Sequence, residues 1–182
     1  MDSGAVVAVE PVRLVADADR GVEALYRAEA RHLLGMLWMQ VGDRAAAEDL
    51  VQEAFVRVHR SWRRIDDPVK APAYLRSVAF NLARSRWRRL ATAARPVRVM
   101  RMVDAPSAES AAVDSDDRAA VVEALATLSA RQRECIVLRF YAGSSDSETA
   151  ATLGISINSV KTHIRRGLLA LGPALEDRRV DQ

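Results

Sequence analysis

The stretch from Ser144 to Leu171, read with the Gly143 before it, constrains this chain more than any other. Ser145 with Glu148 three residues later is a capping-box signal for a first helix, and Gly154 is the permissive residue that ends it. Ser156 then caps a second helix. There Ile157, Val160, Ile164, Leu168 and Leu171 recur at spacings of three and four, which predicts one apolar stripe facing the domain's own core. At about 100° per residue, Ser159, Thr162 and Arg166 fall on the opposite side, with Asn158, His163 and Arg165 flanking and Lys161 nearer the edge. No acidic residue lies between Ile157 and Leu171. A capped helix, a glycine turn and a second helix with a polar, cationic face suit a major-groove reader. Arg reaches guanine edges or phosphates, and Asn, Ser and Thr reach base edges. A lone basic helix would more simply be a solvated surface; the ordered caps and turn favour the DNA-facing reading. His163 alone is a polar surface side chain, since no Cys or His stands at ligand spacing around it.

A length of 182 residues allows one ordinary domain or two small ones, and the patterning favours two. With 49% hydrophobic and 28% charged residues the chain has the composition of a folded protein. A net charge of +3 argues only weakly for a nucleic-acid partner. The distribution argues better: Arg76 to Arg89 holds five arginines and no acid, whereas Met102 to Asp117 holds five acids and no base. The single cysteine, Cys135, excludes an internal disulfide and a multi-cysteine zinc site, and its apolar surroundings make it a packing residue. No secretory leader and no apolar window of about 18 residues is present, so a cytoplasmic protein is expected. Without a glycine-rich phosphate loop, a metal-ligand cluster or a nucleophile–base arrangement, neither catalysis nor a cofactor or metal is expected.

Residues 1–20 lack a sustained period and read as a flexible arm. A helix follows from Gly21, with Leu25, Leu33, Leu34, Leu37, Trp38 and Val41 spaced for burial, and Gly42-Asp43 closes it and caps the next. That next helix, from Asp43 to about Trp62, turns Ala47, Leu50, Val51, Ala54, Phe55, Val58 and Trp62 inward. Its opposite side centres on Asp49, Gln52 and Val56, with Glu53 and Arg60 beside them. An apolar Val56 on the wettest face hints at a protein contact, although single exposed apolar residues are common. Asp66 to Pro72 reads as a loop, and a third helix runs from Ala73 to about Leu90. Leu75, Val78, Ala79 and Leu82 pack inward there, and Asn81, Arg84, Ser85 and Arg88 lie outside, interleaved with Tyr74, Phe80 and Trp87. Guanidinium groups beside aromatic faces suit a single strand; the competing fate of Trp62, Tyr74 and Trp87 is the core.

Residues 91–118 break all periodicity and read as a flexible acidic linker, able to reach about 90 Å at ~3.3 Å per residue. Helix resumes at Ala119 with Val121, Val122, Leu125 and Leu128 inward. Ser129 to Gln132 caps the helix that carries Ile136, Val137, Leu138 and Phe140. The expected fold is therefore all-α: two small helical domains, 21–90 and 119–175, with a tail at 176–182.

The runs DLVQEAFVRV and YLRSVAFNLARSRWRR in the first module, with LSARQRECIVLRFYAG and ETAATLGISINSVKTHIRRGLLAL in the second, resemble the extracytoplasmic-function (group IV) RNA polymerase sigma factors. Tyr74-Leu75-Arg76 is closer to the sigma-E-like subset. The resemblance covers about Leu25 to Leu175 and implies a chain that guides core RNA polymerase to promoter DNA. Its first module, region 2, would hold and melt the −10 element, and its second, region 4, would read the −35 element. By position, Asp49, Gln52 and Glu53, with Val56 on the same face, match the residues that grip the β′ clamp coiled coil. Asn81 matches the asparagine at the pocket for a flipped −10 base, and Ser85 stands where the family often has Asn. Arg84, Arg88, Tyr74 and Trp87 join that surface as candidates. Lys161, Thr162 and Arg166 match −35 contacts, to which the wheel adds Ser159, His163 and Arg165. The resemblance further implies the polymerase β flap and an anti-sigma factor as partners. A Val-Lys-Thr-His-Ile run also occurs in LuxR-type activators, which would carry a receiver or ligand domain in place of this first module.

Overall fold

The computed structural model describes residues 11–65, 67–93 and 112–180, and among these every regular element is helical. In chain order the helices are α1 (Pro11–Val41), α2 (Arg44–Ser61), α3 (Ala71–Ala93), α4 (Ala112–Ala126), α5 (Ala130–Ile136), α6 (Asp146–Leu153) and α7 (Ile157–Val180). The all-α expectation holds.

Local chemistry sets the first three helices. Gly42 takes a left-handed φ of 78°, which ends α1, and Asp43 Oδ1 accepts the Ala46 N–H at 2.8 Å to open α2. Asp67 Oδ1 accepts the Val69 N–H at 3.0 Å, opening a 3-10 turn over Pro68–Lys70 that leads into α3. Leu33, Met36 and Leu37 of α1 meet Leu50, Val51 and Phe55 of α2 and Leu75, Phe80 and Leu82 of α3 in one buried cluster. Trp62 packs against it, its indole lying on the backbone of Gly21, where a Cβ would stand 2.2 Å from Cζ2.

The arm expected over residues 1–20 is corrected from Pro11 onward, because α1 starts there, and residues 1–10 lie outside the described ones. Ala18 is buried and the Asp19 carboxylate lies 2.7 Å from His59 Nε2 on α2, so packing extends a helix whose own periodicity is weak. Both ends of the expected 91–118 linker are also helical, through Ala93 and from Ala112, and residues 94–111 lie outside the described ones.

In the second unit Ala124, Leu125 and Leu128 are buried, while Val121 is exposed, against the inward position expected for it. After α5 the chain makes a π-helical turn over Val137–Tyr141, which buries Val137 and Leu138 and turns Phe140 and Tyr141 outward. The stripe expected on α7 is corrected too. Val160, Gly167 and Leu171 are buried and Ile164 is half-buried, but Ile157 and Leu168 are exposed. Gly167 packs without a side chain: a Cβ there would come within 2.5 Å of Ile136 Cδ1, and the bare backbone lets α7 lie close to α5.

The two units do not stand apart. Their buried residues form one continuous cluster, with α4, α5 and the π turn against α1 and with α6 against α3. Tyr141 seats on α1 at Gly35, where a Cβ would be 2.1 Å from its Oη, and stacks on His32 with centroids 4.8 Å apart and planes 9° from parallel.

Candidate nucleic-acid interface

The helix-turn-helix stretch is built by its caps. Ser145 Oγ accepts the Glu148 N–H at 3.2 Å while Glu148 Oε2 accepts the Ser145 N–H at 2.7 Å, closing the expected box at the start of α6. Gly154 ends α6 at a φ of 64°, and Ser156 Oγ accepts the Ser159 N–H at 3.1 Å to open α7. With Val160 anchored in the core, Asn158, Ser159, Thr162, His163 and Arg166 line one open cleft on the outer face of α7. Lys161 and Arg165 are exposed on the same helix, outside that lining.

A second hollow lies between α2 and α3. Tyr74, Val78 and Asn81 line it from α3, and Arg57, Arg60 and Ser61 from α2. Two cations, a hydroxyl, an amide and a half-exposed aromatic ring around one depression can bind a phosphate beside an unstacked base. Among the described residues no group of three or more His, Cys, Asp or Glu side chains is placed to hold a metal. The Cys135 thiol is buried, and that burial, with Glu134 nearby, pushes its pKa up to about 11, which suits packing rather than reactivity.

The family described as "Sigma-70 region 2" matches residues 25–92, and "Sigma-70, region 4" matches residues 118–171. The chain is 38% identical over 141 residues to an RNA polymerase sigma-E factor of Streptomyces avermitilis, covering 78% of this chain and 77% of that one. The chain belongs to the extracytoplasmic-function RNA polymerase sigma factors. It is 31% identical over 162 residues to the sigma factor SigL of Mycobacterium tuberculosis, covering 86% and 89% of the two chains. The fold resembles that of the sigma factor RpoE of Bartonella quintana, solved in complex with the anti-sigma factor NepR. There the TM-score is 0.70 at 23% identity, over 85% of this chain and 96% of that one.

As an alternative sigma factor the chain directs RNA polymerase to promoters. No described helix of this sigma factor is long and apolar enough to cross a membrane. Asp49, Gln52, Glu53 and Val56 share an exposed face of α2, opposite its buried side, with Val56 47% exposed and Glu53 paired with Arg57 at 2.6 Å. Asn81 is exposed and accepts from Arg84 Nη1 at 3.3 Å, Ser85 is half-buried and Arg88 is exposed. Arg84 and Trp87, however, sit in the seam between the units. Arg84 reaches Glu134 of α5, and the Trp87 ring has the Arg133 guanidinium 5.8 Å from its centroid. The aromatics therefore divide: Trp62 packs against the core, Trp87 lies half-buried beside Arg133, and Tyr74 faces the hollow.

Sequence reasoning missed Arg57 and Ser61, and it placed Arg60 beside the acidic face rather than in the hollow. Their spacing of three and four at the end of α2 was a signal that they share a face, but only the packing of α3 beside them makes a hollow.

Proposed function

We propose that the α2–α3 hollow, centred on Asn81 and Tyr74, holds a base extruded from the −10 element, and that α7 reads the −35 element through Ser159, Lys161, Thr162, His163, Arg165 and Arg166. Arg84, Ser85, Arg88 and Trp87 complete the −10 surface once the chain is on polymerase. Residues 21–90 serve as region 2 and 119–175 as region 4. The exposed face of Asp49, Gln52, Glu53 and Val56 grips the β′ clamp coiled coil, and region 4 meets the β flap. Neither unit performs chemistry itself; base extrusion costs a few kcal/mol, offset by contacts to the displaced strand. The protein works in the cytoplasm with core polymerase, under the control of an anti-sigma factor, a partner class suggested by the complex in which its structural relative was solved.

One observation carries the reading: a single chain presents a cleft of hydroxyl, amide and arginine groups on a helix-turn-helix and, on another unit, a cationic hollow with an exposed tyrosine. Run-off transcription with core polymerase and a genomic promoter library tests it. Binding of the purified chain to core enzyme without DNA, followed by defined start sites, is expected. An activator of the LuxR type would instead need its DNA site and would leave core enzyme unbound.

A further inference from the structure

Charge on the α2 side of the hollow is unevenly engaged. Arg57 Nη2 donates to Glu53 Oε1 at 2.6 Å, so one of the two arginines lining the depression already has an anion. Immediately beyond Ser61, the last hollow residue of α2, the chain tightens into a 3-10 turn over Trp62–Arg64. Arg60 on the rim and Arg63 and Arg64 on the turn are exposed, and none of the three makes an ion pair among the described residues. Asp67, just past the turn, is engaged elsewhere: its Oδ1 accepts the Val69 N–H at 3.0 Å and its Oδ2 lies 3.9 Å from Lys70 Nζ. At a rise of ~2.0 Å per residue, Arg64 stands about 6 Å beyond Ser61. Cations gathered so closely repel one another, and an anion bound among them relieves that repulsion.

The turn is also braced. The Trp62 indole lies on the backbone of Gly21, where any Cβ would clash with the ring, and three residues earlier His59 Nε2 meets Asp19 Oδ1 at 2.7 Å. Asp19 and Gly21 precede residue 25, where the region 2 match begins, so the brace comes from a part of α1 outside that match. A turn held in place loses less freedom when it takes a ligand.

We propose that Arg63 and Arg64, together with Arg60, form a phosphate seat for the backbone of a single strand beside the base held in the hollow. The inference rests on the reading that the hollow takes that base. A strand whose base enters the hollow carries its neighbouring phosphates past the rim, and guanidinium forks match phosphate oxygens. An acidic protein surface would also suit three cations, but the seat is continuous with Tyr74 and Asn81. An aromatic face next to a run of cations is the pairing that single-strand recognition uses.

The test uses the full chain assembled with core polymerase, on a promoter from the run-off library prepared with its −10 segment single-stranded. Wild type is compared with Arg63→Ala combined with Arg64→Ala, and with Asn81→Ala. Affinity is followed across a salt series, in which each phosphate contact on a single strand contributes about 0.7 to the slope of log affinity against log salt. The double arginine variant is expected to bind about tenfold more weakly at low salt and to lose about 0.7 to 1.4 of that slope. Its association with core enzyme in the absence of DNA, and its binding to a duplex carrying only the −35 element, should match wild type. Unchanged affinity and slope, with Asn81→Ala still weakening the grip, would overturn the seat and leave the hollow standing. Lost association with core enzyme would assign the arginines to an acidic polymerase surface, and equal weakening on the −35 duplex would separate them from the hollow; either result overturns the seat. Should neither variant alter strand binding, the reading of the hollow falls and the seat with it.

Discussion

Arg133 donates from Nη1 to the carbonyl oxygen of Gln40 at 2.8 Å, across 93 positions of sequence. The same guanidinium donates from Nε to Leu125 O at 2.8 Å and from Nη2 to Ala126 O and Leu128 O at 3.2 Å. Gln40 lies in the last turn of α1, and Leu125 and Ala126 end α4, so one cation caps the carbonyl ends of two helices. Burial draws its pKa down and Glu134 opposes that shift, yet an arginine stays charged throughout the working range.

Arg133→Met should therefore cost several kcal/mol, since each buried carbonyl left without its donor costs about 1 to 3 kcal/mol. Denaturant unfolding of the full chain measures it. A loss under about 1 kcal/mol would mean that water reaches these carbonyls and replaces the guanidinium.

The capping box of α6 gives a pH dependence. The Ser145 backbone N–H and then its hydroxyl hold the Glu148 carboxylate below its ordinary pKa of 4.5; desolvation opposes them more weakly, and the Arg76 charge adds the smallest contribution. A depressed carboxylate stabilises the fold above its unfolded pKa, and the contribution is lost as pH falls through the folded value. Melting temperature should thus fall below pH 4.5 more steeply in wild type than in Glu148→Gln, which keeps a capping amide but cannot titrate. Parallel acid limbs would show that the box carries no proton linkage.

Asp49→Ala combined with Glu53→Ala should abolish association with core polymerase while leaving the fold intact. Both side chains are exposed, and substitutions at such positions usually change stability by less than about 0.5 kcal/mol. Co-migration with core enzyme on gel filtration checks the first part and thermal unfolding the second. Retained association would remove the clamp assignment.

Arg166→Ala should weaken binding to the −35 element by about 1 to 3 kcal/mol and relax discrimination at one base pair, if Arg166 reads a base edge. Titrations on the promoter and on single-base variants separate the cases. An equal loss on every sequence would mean that Arg166 holds phosphate alone.

Caps and turns were legible in the chain because they depend on neighbours three or four positions away. Asp43, Ser145 with Glu148, Gly154 and Ser156 all act as their spacing predicts, and with them come the helices, the outer face of α7 and the exposed Asp49–Val56 face of α2. Which side of a helix is buried was less legible wherever a small residue does the work. Gly167 takes a buried place on α7 while Leu168 faces water, and periodicity, which weighs large apolar groups, does not register a bare backbone. Tertiary structure alone decided the seam. The meeting of Arg84 with Glu134, of Arg133 with Gln40 and of Tyr141 with Gly35 joins positions 50 to 106 apart. No local rule pairs groups at such separations, because close packing of the two units supplies both the proximity and the burial that make these contacts strong.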